Sequence, residues 1–66
     1  MAVAKTIEIS AESPTSFAEA AKVGIAKAAE TVHGIAEAYV NEQKVLVTDG
    51  AVTGFRVHMK VTFLLD

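Results

Sequence analysis

Between Ile35 and Leu65 two long apolar runs are joined through Val47-Thr48-Asp49-Gly50-Ala51. Asp-Gly flanked by β-branched residues is a strong hairpin signal, because a tight type I′ turn needs positive φ and Gly supplies it at little steric cost. The segment is therefore expected to form one long hairpin. In its second strand Phe55, Val57, Met59, Val61, Phe63 and Leu65 share one face and alternate with Arg56, His58, Lys60 and Thr62, so one side is core and the other polar. Everything upstream has to cover the apolar side.

Lys5 to Ser10 alternates in the same way, with Val3, Ile7 and Ile9 on one face and Thr6, Glu8 and Ser10 on the other, which predicts a short half-buried strand. Ala11 to Thr15 is expected to be a loop, since Ser13-Pro14 biases Ser13 away from helical geometry. Ser16-Phe17-Ala18-Glu19 is a capping box and starts a helix. The apolar stripe of that helix is Phe17, Ala20, Ala21, Gly24, Ile25, Ala28 and Val32, and His33-Gly34 is expected to end it. Gly24 inside a helix costs about 1 kcal/mol relative to Ala, which points to close approach of a neighbouring element there.

The first hairpin strand has a conflict of phase. Ala36, Ala38 and Val40 are apolar at even positions, whereas Val45 and Val47 are odd. A two-residue turn sets Val61 opposite Ala38 and Met59 opposite Val40, but Val57 opposite Glu42 and Phe55 opposite Lys44. A bulge between Asn41 and Lys44, or at Thr53-Gly54, restores the match by shifting one strand by a residue. Local burial of both faces by another subunit does so too. The expected class is α+β, in the order β-α-β-β, with a three-stranded antiparallel sheet curled around one helix and residues 1–66 forming a single domain.

A chain of 66 residues buries only about 60% of the surface its unfolded form exposes, and a core of this size rarely supplies more than roughly 3–5 kcal/mol. It has no cysteine and no zinc-like ligand spacing, so self-association is the remaining staple. The 52% apolar content exceeds what one helix can cover, and a homo-oligomer is expected. A net charge of −2 with scattered Lys and Arg argues against nucleic acid as a partner. No apolar run approaches the ~20 residues of a membrane span and no secretory leader is evident, so no membrane association and a cytoplasmic location are expected.

Chemistry-bearing residues are few. His33 and His58 stand at a helix end and on a polar strand face, and no motif supplies either with a nucleophilic Ser, Cys or Asp partner. Glu37, Glu42 and Asp49 lack the spacing of a calcium loop, and none of the glycines builds a phosphate loop. No enzymatic activity is expected. The dense feature is the polar face of the hairpin, with Glu37, Tyr39 and Asn41 on one strand and Arg56, His58 and Lys60 on the other. It lies beside surfaces expected to be subunit contacts, and intersubunit ion pairs are the simplest role for its charges.

Several short motifs in order, Ser13-Pro14-x-Ser16-Phe17, Ala20-Ala21, Ile25, Ala29-x-Thr31-Val32 and Phe55-Arg56-Val57-x-Met59-Lys60-Val61-x-Phe63-x-Leu65-Asp66, resemble those of the dodecins. The resemblance covers essentially the whole chain. It implies a homododecamer, a hollow cage of twelve copies with tetrahedral symmetry, that binds, stores or buffers a small molecule. The family ligand is a flavin (riboflavin, FMN or FAD), bound in pairs at the twofold axes by a stacking Trp on the first hairpin strand and a hydrogen-bonding Gln on the second.

The positions matching that Trp and Gln are Glu37 and Arg56, which makes them the candidate ligand-binding residues. Aromatic stacking is worth about 1–3 kcal/mol per ring by analogy with bases, so loss of the Trp weakens flavin by roughly 5- to 150-fold. With Glu37 opposite Thr62, six residues from Arg56, the pair stands about 20 Å apart along the strand. One ligand touches both only if they come from different subunits. Some members without the Trp are associated with calcium, and the resemblance therefore carries a second implication, a structural or cation-binding assembly in which Glu37 and Arg56 form intersubunit ion pairs and no organic ligand enters.

Overall fold

β3 (Ala51–Leu65) lies at the centre of a three-stranded antiparallel sheet, with β1 (Val3–Ser13) on one side and β2 (Ile35–Thr48) on the other. The helix α1 (Phe17–Ala28) packs mainly over β1 and β3 and only touches β2. The computed structural model describes residues 2–65. Met1 and Asp66, the latter closing the last of the sequence motifs, lie outside the described residues.

The central position of β3 follows from its alternation. Val57, Met59 and Val61 are fully buried together with Ala20 of the helix, and Ile7, Ile9, Ala11, Phe17, Ile25, Ile35 and Val40 pack around them. Ile7, Ile9 and Ala11 lie directly opposite Val61, Met59 and Val57, so every core position of β3 has an apolar cross-strand partner on β1. Phe17, the first helical residue, meets Phe55 edge to face at 5.1 Å, an arrangement worth about 0.5–1.5 kcal/mol beyond the area buried. The apolar face thins toward its end, and Leu65 is exposed.

β1 is longer than the sequence implies. Ala11, Glu12 and Ser13 continue the ladder against Val57, Arg56 and Phe55, where a loop is expected from the neighbouring proline. Proline restricts only the residue before it, and to the extended region, which is also strand geometry. The ladder therefore runs to Ser13. The buried Ser13 hydroxyl then accepts the Thr15 N–H at 3.0 Å and turns the chain.

The helix is shorter than expected. Ser16 caps it, its Oγ accepting the Glu19 N–H at 2.9 Å. Its last regular residue is Ala28, and the N–H groups of Glu30 and Thr31 bond back to Lys27 and Ala28, three residues away rather than four. The turn tightens as the β-branched pair Thr31-Val32 is reached. Gly34, read as the helix cap, instead opens β2. It has φ 77°, and its carbonyl accepts the Leu64 N–H at 3.0 Å.

The phase conflict in the hairpin is resolved by both of the proposed bulges. Ala38 and Val40 face Val61 and Met59, as a two-residue turn requires, then Asn41 is skipped and Glu42, Gln43, Lys44 and Val45 face His58, Val57, Arg56 and Phe55. Thr53 is skipped in turn, so Val47 faces Val52 and Thr48 faces Ala51. The two extra residues sit on opposite strands and cancel, which keeps the Asp49-Gly50 turn in register. Both turn residues have positive φ, 51° and 80°, the type I′ signature. A further irregularity at Ala36 adjusts the start of β2.

Gly24 is where sheet and helix come closest. A Cβ built there stands 2.8 Å from Met59 Cε and 2.9 Å from Ala11 Cβ. The methionine end can swing away, but Ala11 Cβ moves only with β1. Overpacking costs typically about 1–3 kcal/mol, against the roughly 1 kcal/mol of helix propensity that alanine adds. Gly24→Ala is therefore expected to lower the melting temperature, and Gly24→Ala with Ala11→Gly to recover most of the loss. Thermal unfolding of the two single variants and the double variant checks this, and a more stable Gly24→Ala would contradict it.

Candidate functional site

The sheet face turned away from the helix is polar and is built by alternation on all three strands. Thr6, Glu8, Ser10 and Glu12 of β1 stand opposite Thr62, Lys60, His58 and Arg56 of β3. Glu37, Tyr39, Glu42 and Lys44 of β2 stand opposite Thr62, Lys60, His58 and Arg56 on the other side. The Asn41 bulge is what keeps Glu42 and Lys44 on this face, because without it they would turn toward the helix side.

β1 supplies partners that the hairpin alone does not reveal. Arg56 Nε and Nη2 both donate to Glu12 Oε2, at 2.8 and 2.6 Å. Arg56 is thus already paired within one chain. Glu37 is exposed, and among the described residues it has no ion-pair partner. The Thr6 and Thr62 hydroxyls lie 3.1 Å apart across the strands.

His58 lies between two β1 side chains, with Nδ1 3.0 Å from Ser10 Oγ and Nε2 3.1 Å from Glu8 Oε1. The hydrogen bond from His58 holds the Glu8 carboxyl below its ordinary range, opposed by desolvation and helped by electrostatic attraction to His58 and Lys60. The absence of a motif around His58 is thus no guide to its surroundings, because the topology brings Ser10 and Glu8 to it. A signal for this exists in the sequence. Glu8, Ser10 and Glu12 are complementary in charge or hydrogen bonding to Lys60, His58 and Arg56 when the two segments run antiparallel, and that complementarity gives the observed register. His33, in contrast, lies in the connection between α1 and β2, away from this face.

Glu37 and Arg56 share the polar face but are not brought together by one chain. Glu37 stands beside Thr62 and Arg56 beside Lys44, about 20 Å apart at the ordinary strand rise. Beside Arg56 a shallow hollow of about 140 Å³ is lined by Ser10, Glu42, Lys44, Arg56 and His58. Calcium finds no support here. Among the described residues no three acidic or histidine side chains converge on a point, and Glu8 and Glu12 are already engaged by His58 and Arg56.

The dodecin profile matches residues 3–66. The chain belongs to the dodecin family. Among solved structures it is similar to the dodecin from Streptomyces davaonensis, with 31% identity over 98% of this chain and 96% of that one and a TM-score of 0.93. The dodecin from Streptomyces coelicolor, 22% identical over 98% of this chain and 93% of that one, has the same fold at a TM-score of 0.93. So does a tryptophan-to-phenylalanine variant of the Thermus thermophilus dodecin, 23% identical over 100% of this chain and 98% of that one, at 0.92. No curated protein matches the sequence. The β-α-β-β order and the central β3 are thus those of a dodecin. Within this dodecin the outer face carries Glu37 and Arg56 where the resemblance sets the stacking Trp and its Gln partner.

The lowered pKa of Glu8 has a consequence for stability. A carboxyl whose folded pKa is depressed stabilises the fold above its unfolded pKa, about 4.3 for glutamate, and the effect is lost as pH falls through the folded value. The melting temperature of the protein is therefore expected to exceed that of Glu8→Gln at neutral pH, with the difference closing as pH drops below the ordinary glutamate range. A difference that grows on acidification would contradict the assignment.

Proposed function

We propose that this dodecin assembles into a homododecameric cage that binds and stores a small molecule of the flavin class, riboflavin, FMN or FAD, more weakly than members with the stacking Trp. Toward the flavin it acts as a binding protein and does no chemistry on the ligand. The observation that carries this reading is the distribution of unmet surface. The charges Arg56 and Glu12 on the outer face are paired within the chain, whereas apolar side chains are uncovered at both ends of the sheet. Val45, Val47 and Val52 stand out at the hairpin end, Val3, Leu64 and Leu65 at the other, and Val23 on the helix. With extents of 51 × 20 × 13 Å, the chain has a core limited to the middle of a long ribbon. Apolar ends of this kind are stabilised by burial against further copies, and the polar face between them is left open to a small solute.

Glu37 and Arg56 are the residues assigned to the ligand, Glu37 from one subunit and Arg56 from another, since a single chain separates them too far. Glu37 in place of an aromatic ring removes the stacking contribution, and a carboxylate beside a neutral ring system has to keep its water or find a cation. Arg56 in place of an amide still donates hydrogen bonds but, held by Glu12, has less freedom to follow the ligand edge.

Restoring the pair tests this directly. Glu37→Trp with Arg56→Gln is expected to tighten riboflavin by roughly 5- to 150-fold, the equivalent of one aromatic stack at about 1–3 kcal/mol, read as quenching of riboflavin fluorescence on titration. Equal affinity before and after the change would show that these positions do not form the site.

A further inference from the structure

We infer that Ser10 is an activated nucleophile that accepts acyl groups from activated esters, with His58 as its general base and Glu8 as the residue that positions the imidazole. The two links that nucleophilic catalysis by serine requires are both present. His58 Nδ1 is 3.0 Å from Ser10 Oγ, and His58 Nε2 is 3.1 Å from Glu8 Oε1. An ionised carboxylate only accepts hydrogen bonds, so the Nε2 proton belongs to the Glu8 contact, and on the neutral ring Nδ1 is left to accept the Ser10 proton. The lone pair of the base is thereby aimed at the nucleophile. Because all three side chains project from paired strands, their geometry is held by the ladder rather than by a loop.

Ser10 is exposed, and with His58 it opens on the hollow that Lys44, Arg56 and Glu42 also line. The arginine gives two N–H groups to Glu12 and retains further donors of its five. Lys44 and Arg56 together offer positive charge to an oxyanion formed at Ser10. The backbone N–H groups of β3, paired along both edges, belong to the sheet ladder, and no helix residue lines the hollow, so no oxyanion hole at a helix start stands ready as in a dedicated hydrolase. The substrate class is accordingly limited to esters with good leaving groups, such as phenols, and excludes amides.

In the first step Ser10 Oγ attacks the carbonyl carbon while its proton passes to His58 Nδ1. The tetrahedral oxyanion collapses with cleavage of the bond to the leaving oxygen, which departs with the proton from His58. Water then attacks the acyl-Ser10 carbonyl, giving a proton to His58, and collapse releases the carboxylic acid as Ser10 regains that proton. Nothing is oxidised or reduced.

The test uses the assembled full-length chain with p-nitrophenyl acetate, following nitrophenol release and locating the acetyl group by peptide mass spectrometry. The expected result is an acetyl group on Ser10. Nitrophenol release should fall by roughly 100-fold, the low end of what a positioned general base contributes, in Ser10→Ala and in His58→Gln, with circular dichroism unchanged. Glu8→Gln presents an amide N–H to Nε2 and favours the ring tautomer that carries its proton on Nδ1. It should lower the rate at saturating ester without changing the half-saturating concentration, and Glu8→Asp should recover part of that rate. Acetylation confined to lysines, or release from Ser10→Ala at the unchanged rate, would overturn the inference.

Discussion

Everything in this molecule depends on β3 being paired on both sides. A strand that is hydrogen-bonded along both edges presents Val57, Met59 and Val61 as one continuous apolar line, and the helix can bury that line only because Gly24 lets it settle against Ala11 and Met59. The same strand sets the opposite face. Arg56, His58 and Lys60 project between the polar side chains of β1 and β2, so the charges on the outer face and the core on the inner one are two sides of a single register. A slip of one residue would exchange them.

How this register is maintained explains the bulges. The long hairpin carries an apolar pattern that changes phase between Val40 and Val45, and no regular ladder satisfies both halves. One extra residue on β2, Asn41, and one on β3, Thr53, displace the segment between them by one position and then return it. Val45 thereby joins Phe55 on the inner side, Lys44 joins Arg56 on the outer side, and the Asp49-Gly50 turn keeps its two-residue geometry.

The hairpin, its turn, the helix start at Ser16 and the core face of β3 were all legible in the sequence, because each rests on a short-range signal: Asp-Gly, a capping serine, strict alternation. The same short-range signals mislead at the end of α1, since Gly34 has the identity and the positive φ of a helix cap but serves β2 instead. The length of β1 was hidden by Pro14, whose effect on its neighbour is compatible with a strand as well as a loop. The contacts of Glu8, Ser10 and Glu12 were missed because they depend on which strand sits in the middle, a long-range fact. Glu37 and Arg56 were identified through resemblance alone, and their 20 Å separation along the ribbon is why one chain cannot display their joint role.

A 66-residue ribbon with a short core leaves apolar residues uncovered at both ends. We propose that copies of the chain cover these ends in a cage of twelve, with the outer sheet face left to a small molecule. Native mass spectrometry of the protein purified from its own source tests it most directly. A mass of twelve chains is expected, with any additional mass matching a flavin. A stable monomer at micromolar concentration would contradict it.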